Sequence, residues 1–400
     1  MKAEAFFHFR RYPRRSTLEG GGEEDGFATR AEKRISGVRR VRNEGGVRAL
    51  FVPPNRRFDM RRSLKEMTHV LATVLLVMGV ACASTSTTIG SGTPQDAAIR
   101  AAEAWAFPME QTLDPSVPEP SQAPKPDPHK TVHVPGSLRT YTLAYLDTLF
   151  NAADWFPQDH PAPPQNVLHG RKPAWACGAC HFPNGAGDTT SPALAGLPSA
   201  YILEQVAAFR AGDRGRAQPV SATMMAEEAR NLSDTELQQA ADYFSSLKLQ
   251  MATRVVETSS VPRTHWDGFV LAPNINGARE PIGERIIEVS NDQALNDLGD
   301  ERAGFVAYVP LGSIARGAVI AANGVGTAPA CESCHGAALE GVGNIPPLAG
   351  RSPTYIVREL ILFQTGKRTN PGAAPMRLEA SLFSVRDMIA VAAYAASRKP

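Results

Sequence analysis

The chain has 400 residues, with 43% hydrophobic, 20% charged and 7% aromatic side chains, which excludes a wholly disordered or fibrous protein. The formal charge of +2 hides an asymmetry: residues 1–83 carry 17 Lys+Arg against 9 Asp+Glu, and the remainder carries 25 against 31. An acidic body makes nucleic acid a poor partner, and the length suggests two or three domains.

Residues 1–59 are Arg-rich with Gly-rich breaks and no sustained apolar period. They read as the product of a start placed too early, with Met60 the true start; a disordered cytoplasmic arm is the alternative. Residues 60–83 have the layout of a secretory signal: a basic Met60-Arg-Arg-Ser-Leu-Lys stretch, an apolar run at 70–81, then Ala81-Cys82-Ala83. The run is too short to span a bilayer comfortably. Ala81-Cys82-Ala83 is an A-x-A cleavage site, and Gly79-Val-Ala-Cys82 resembles a bacterial lipobox. Lipidation at Cys82 is the preferred reading because it accounts for the fifth cysteine. Residues 84–159 read as a linker and helical extension, with helices expected at 94–105 and 141–152 around a Pro-rich stretch at 115–128. His160 and His169 read as exposed loop histidines rather than metal ligands.

The other four cysteines form Cys177-Gly-Ala-Cys180-His181 and Cys331-Glu-Ser-Cys334-His335. Two thiols on one helical turn add to the two vinyl groups of a haem, and the adjacent histidine ligates its iron. A zinc site needs further Cys or His ligands at matching spacing, and a thioredoxin-like C-x-x-C follows a strand in a βαβ unit. Neither fits, so the cofactor expected is two covalently bound haem c groups.

The motifs sit in a longer repeat. An offset of 154 carries Cys177 onto Cys331, Pro192 onto Pro346, Tyr201 onto Tyr355, Phe209 onto Phe363 and Arg214 onto Arg368. After a three-residue deletion, an offset of 151 carries Met225 onto Met376, Ser233 onto Ser384 and Tyr243 onto Tyr394. Helices are expected at 199–212 and 353–366 from apolar spacing closed by Gly, and at 234–246 and 385–395 from the capping signals Ser233-Asp-Thr-Glu236 and Ser384-Val-Arg-Asp387. Met225 and Met376 are the sixth-ligand candidates, because they coincide under the repeat while Met224 aligns with Pro375. Paired His/Met ligation fills both axial positions, which suits an electron carrier and disfavours an enzyme needing an open iron. The carbonyls of Pro192 and Pro346 are candidates to orient the histidines, and Arg214 and Arg368 to pair with haem propionates.

The order C-x-x-C-H, P-x-L-x-G, aromatic-bearing helix, Met and capped C-terminal helix with Tyr resembles the class I cytochrome c fold. Two copies in one exported chain resemble the bacterial diheme class I cytochromes c. The resemblance implies a mainly α protein with tandem cytochrome c domains at 160–248 and 311–400, and axial pairs His181/Met225 and His335/Met376. The insert at 249–310 is expected to hold short strands at 254–257, 283–289 and 304–309. No catalytic constellation accompanies the haem ligands. The function expected is single-electron transfer in the periplasm, on a lipid-anchored or free protein. The donor would be a dehydrogenase or quinol-oxidising complex, and the acceptor a cytochrome or oxidase. The alternatives are the cytochrome subunit of a periplasmic dehydrogenase complex and, less favoured, a diheme peroxidase.

Overall fold

In the computed structural model, which describes residues 93–107, 127–215, 220–267, 269–274 and 276–400, the chain opens with α1 (Pro94–Ala106). Thr93 and Asp96 form its capping box, satisfying two of the N–H groups that a helix start leaves unpaired. Residues 1–59, the 60–83 leader with Cys82 and most of the 115–128 stretch lie outside the described residues.

The segment after 127 departs from the expected helix at 141–152. Thr131–Val132 (β1) pairs antiparallel with Tyr141–Thr142 (β2), and helix α2 covers Leu143–Leu146 only. Beyond it, backbone partners come from the next segment rather than from a continuing helix. Ala176 N–H donates to Leu149 O at 2.8 Å, and Asn151 bridges His169. One further short helix, α3 (Gln165–Leu168), precedes the first C-x-x-C-H turn, α4 (Gly178–His181).

Three longer helices follow: α5 (Ser199–Ala211), α6 (Val220–Asn231) and α7 (Asp234–Ser246). Helix α5 stops at Gly212, whose φ of 79° is the left-handed cap that glycine adopts without a Cβ penalty. Helix α7 starts from the expected box, with Glu236 N–H bonded to Ser233 Oγ at 3.3 Å and Ser233 N–H to Glu236 Oε2 at 2.8 Å.

Residues 253–309 supply the strands. They are β3 (Thr253–Glu257), β4 (Ser260–Pro262), β5 (Thr264–Asp267), β6 (Val270–Pro273), β7 (Arg279–Pro281), β8 (Ile287–Ser290) and β9 (Phe305–Val309), with helix α8 (Gln293–Asp297) between the last two. A five-stranded mixed sheet runs β3-β9-β8-β6-β5, and β4 pairs with β7 alone. The β-branched runs of β3, β8 and β9 are visible in the sequence. The other four strands are short and three contain Pro, which removes a ladder donor and hides them from pattern reading.

A second helical set closes the chain: α9 (Ser313–Asn323), the second C-x-x-C-H turn α10 (Glu332–His335), α11 (Pro353–Gln364), α12 (Ala374–Ala380) and α13 (Val385–Ala396). Helix α9 crosses α13 so closely that a Cβ on Gly317 would lie 2.0 Å from Ala390 O. The largest core joins α11 and α13 through Ile361, Met388 and Ile389, and α1 adds Ile99, Ala102 and Ala106 to it. The N-terminal helix therefore packs on the C-terminal set. Lys367 Nζ to Glu103 Oε1 (2.8 Å) and Gln95 Nε2 to Phe383 O (3.0 Å) fix it there.

Candidate functional site

Each C-x-x-C-H stretch is one helical turn. His181 N–H donates to Cys177 O at 3.0 Å and His335 N–H to Cys331 O at 2.9 Å. The chain then doubles back identically in both, with Gly187 N–H on His181 O and Gly341 N–H on His335 O. The residue after each histidine has positive φ. It is Gly336 (87°) in the second turn, whereas Phe182 (59°) holds that strained position in the first.

The returning loop delivers a carbonyl to each imidazole. His181 Nδ1 lies 2.9 Å from Pro192 O, and His335 Nδ1 lies 2.9 Å from Pro346 O. A carbonyl only accepts, so Nδ1 carries the proton and Nε2 keeps its lone pair for a metal. Burial, partly offset by these bonds, holds both histidines below their ordinary value and neutral.

No disulfide joins the four cysteines. Burial pushes the Cys177 thiol up to about 12 and the Cys331 thiol up to about 11. Thiols raised in this way are neutral, which is compatible with conversion to a neutral thioether.

Met225 on α6 packs with Val206, Phe209 and Ala226, while its neighbour Met224 turns to the cluster of Ala176, Ala179 and Cys180. Met376 on α12 packs against the core that contains Phe363, the repeat counterpart of Phe209. Glu228, one turn after Met225, is buried and accepts from Trp175 N–H at 3.0 Å. Burial above all pushes its carboxyl up to about 7.

Arg214 and Arg368 are 6% and 4% exposed, and their Nη donors go to protein groups rather than being left for propionates alone. Arg214 reaches Glu359 Oε1 (2.6 Å), Tyr355 Oη (3.1 Å) and Gln205 Oε1 (3.2 Å). Arg368 reaches Gln205 Oε1 (2.6 Å), Tyr201 Oη (3.1 Å) and Glu359 Oε2. Under the 154 offset Tyr201 matches Tyr355 and Gln205 matches Glu359. Each arginine therefore crosses to the other helical set in a quasi-twofold exchange. Burial opposes ionisation of Glu359, but the two guanidinium groups hold its carboxyl below the usual range. Arg351 adds a third link, donating to Ala193 O (2.6 Å) and Ala195 O (3.0 Å). Sequence reasoning missed Gln205, Glu359 and Arg351. The signal available was polar residues recurring at one offset within otherwise apolar helices.

The same network tests the fit of a haem. The Nε–H groups of Arg214 and Arg368 are buried without a hydrogen-bond partner, and two arginines against one glutamate leave a positive charge. Buried donors require acceptors, and a propionate carboxylate has the matching charge and valence. With neutral imidazoles and protonated thiols, the residues fit a c-type haem. His169 is exposed, as the sequence reading expects, whereas the His160 side chain is 2% exposed, against that reading.

A cytochrome c family profile matches residues 169–248. The chain is 30% identical over 236 residues to the thiosulfate dehydrogenase electron acceptor of Thiomonas intermedia, covering 58% of this chain and 77% of that protein. It is 29% identical over 234 residues to cytochrome c4 of Azotobacter vinelandii, covering 56% and 85%. Among solved structures, a thiosulfate dehydrogenase from Marichromatium purpuratum aligns with a TM-score of 0.38 at 26% identity, over 56% of this chain but only 36% of that one.

Proposed function

The chain belongs to the diheme class I cytochromes c, which carry electrons, and we propose that it holds one covalent haem in each of two tandem domains, 160–248 and 311–400, bridged by 249–310. Cys177, Cys180 and His181 would hold the first haem with Met225, and Cys331, Cys334 and His335 the second with Met376. The observation that carries this reading is the doubled histidine geometry, Nδ1 at 2.9 Å from a proline carbonyl in both turns. A bound haem iron supplies a one-electron ferrous/ferric couple. The protein's part would be to fix each imidazole tautomer through a proline carbonyl, to offer the sulfur of Met225 or Met376 to the iron, and to bury the centre. Arg214 and Arg368 tie the two halves together and offer their Nε donors to propionates.

Export to the periplasm, with a lipid at Cys82, is part of the proposal; no helix among the described residues is long and apolar enough to cross a membrane. The partners proposed are redox proteins. Similarity to a thiosulfate dehydrogenase electron acceptor favours a second, narrower reading, in which a periplasmic dehydrogenase hands its electrons to this chain.

Mass spectrometry of the denatured, processed protein tests the cofactor. Two haem masses above the polypeptide are expected, and one after Cys177→Ala with Cys180→Ala. A mass equal to the bare polypeptide overturns the reading.

A further inference from the structure

Asp154, His160 and Glu301 lie outside both haem sites, where residues 127–160 meet the loop between α8 and β9. Trp155 and Phe156 are fully buried beside Asp154, and Trp155 Nε1 donates to Leu298 O at 3.0 Å. Arg302 pairs with Asp159 and covers the Phe156 ring at 3.6 Å from its centroid. With Arg302 turned outward, Glu301 points inward at 6% exposure.

The three side chains bring ligand atoms within 4.8 Å of one another, and Asp154 Oδ1 is 3.3 Å from His160 Nε2. Two ligands about 2.0–2.1 Å from a tetrahedral zinc stand roughly 3.3 Å apart. Both carboxylate oxygens of Glu301 are buried without a hydrogen-bond partner, and Asp154 Oδ1 and His160 Nε2 have only one another. Among the described residues neither carboxylate has an Arg or Lys within ion-pair distance, since Arg302 is engaged with Asp159. His160 Nδ1 is 2.9 Å from Pro161 O and 3.1 Å from Tyr243 Oη. A proton on Nδ1 leaves the Nε2 lone pair directed at the carboxylates, the orientation of a metal-ligating histidine.

We propose that Asp154, His160 and Glu301 bind one divalent transition cation of the zinc class. Two oxygens and one imidazole nitrogen suit a borderline ion in tetrahedral geometry, with water or the second Glu301 oxygen in the fourth position. Calcium wants six to eight oxygens, and this set does not supply them. The cation staples residues 127–160 to the 253–309 region. It also reaches the first haem segment, because Tyr243 Oη, in contact with His160, donates to Pro183 O at 2.7 Å.

The test uses untagged, haem-loaded protein stripped with a chelator, equilibrated with micromolar zinc, desalted and assayed for zinc by elemental mass spectrometry. Wild type and the control His169→Asn are expected to retain one zinc per chain. Glu301→Gln and Asp154→Asn should bind it about 10–100-fold more weakly, with their haem spectra unchanged. Zinc should also raise the unfolding midpoint of wild type and leave that of Glu301→Gln in place. Wild type that retains no zinc, or variants that retain as much as wild type, overturns the proposal. The haem reading survives either result, because it is read from haem mass and not from zinc.

Discussion

Arg214 Nη2 stands 2.6 Å from Glu359 Oε1, across the boundary between the two helical sets, and Gln205, the repeat counterpart of Glu359, accepts from Arg368 at the same distance. Quasi-symmetry would place a carboxylate at both positions. The chain keeps only one, which leaves the buried network a net positive charge.

Glu359→Gln removes the single anion between two buried arginines. An uncompensated buried charge costs about 3–5 kcal/mol. The substitution is expected to lower the unfolding free energy from urea titrations by that amount and to separate the unfolding of the two halves, followed by haem absorption and far-ultraviolet circular dichroism. A midpoint equal to wild type contradicts the role given to the network.

Glu228 couples stability to pH. Its carboxyl titrates near 4.5 when unfolded and is raised to about 7 when folded. The folded state therefore holds the proton more tightly, and stability is full below pH 4.5 and lost as pH rises through 7. The loss at full deprotonation is on the order of 3 kcal/mol. Glu228→Gln keeps an acceptor for Trp175 N–H and removes the charge. It should match wild type at pH 5 and exceed it by roughly 1–3 kcal/mol at pH 8 in urea titrations. Equal midpoints at pH 8 contradict the assignment.

Gly317 permits the crossing of α9 on α13. A methyl group there meets backbone rather than a movable side chain, 2.0 Å from Ala390 O. Gly317→Ala is expected to cost at least about 3 kcal/mol, the upper end for overpacking, and to lower retention of the C-terminal haem specifically. A fully stable, fully loaded variant contradicts the packing described.

The helices carrying the site were legible because their signals are local. Ser233 with Glu236 and Ser384 with Asp387 announce two helix starts, and Gly212 announces a stop. The 141–152 stretch was misread because its apolar spacing is helical while its backbone partners, among them Ala176 and His169, lie further along the chain. His160 looked like a loop histidine for the same reason. Burial of its ring depends on Tyr243 and on Glu301, more than eighty residues away, and no local pattern records that. The repeat offset pointed to Arg214 and Arg368 but not to their partners, since hydrogen bonds crossing between copies are invisible within either one.

Carbon monoxide titration of the fully reduced protein tests the central proposal, that His181 with Met225 and His335 with Met376 would hold the two haem irons. Wild type is expected to bind none. Met225→Ala and Met376→Ala should each bind one equivalent per chain and lower the potential of one haem, while Met224→Ala behaves as wild type. Wild-type protein that takes up one equivalent of carbon monoxide contradicts the account and favours the reading as a haem enzyme with an open iron.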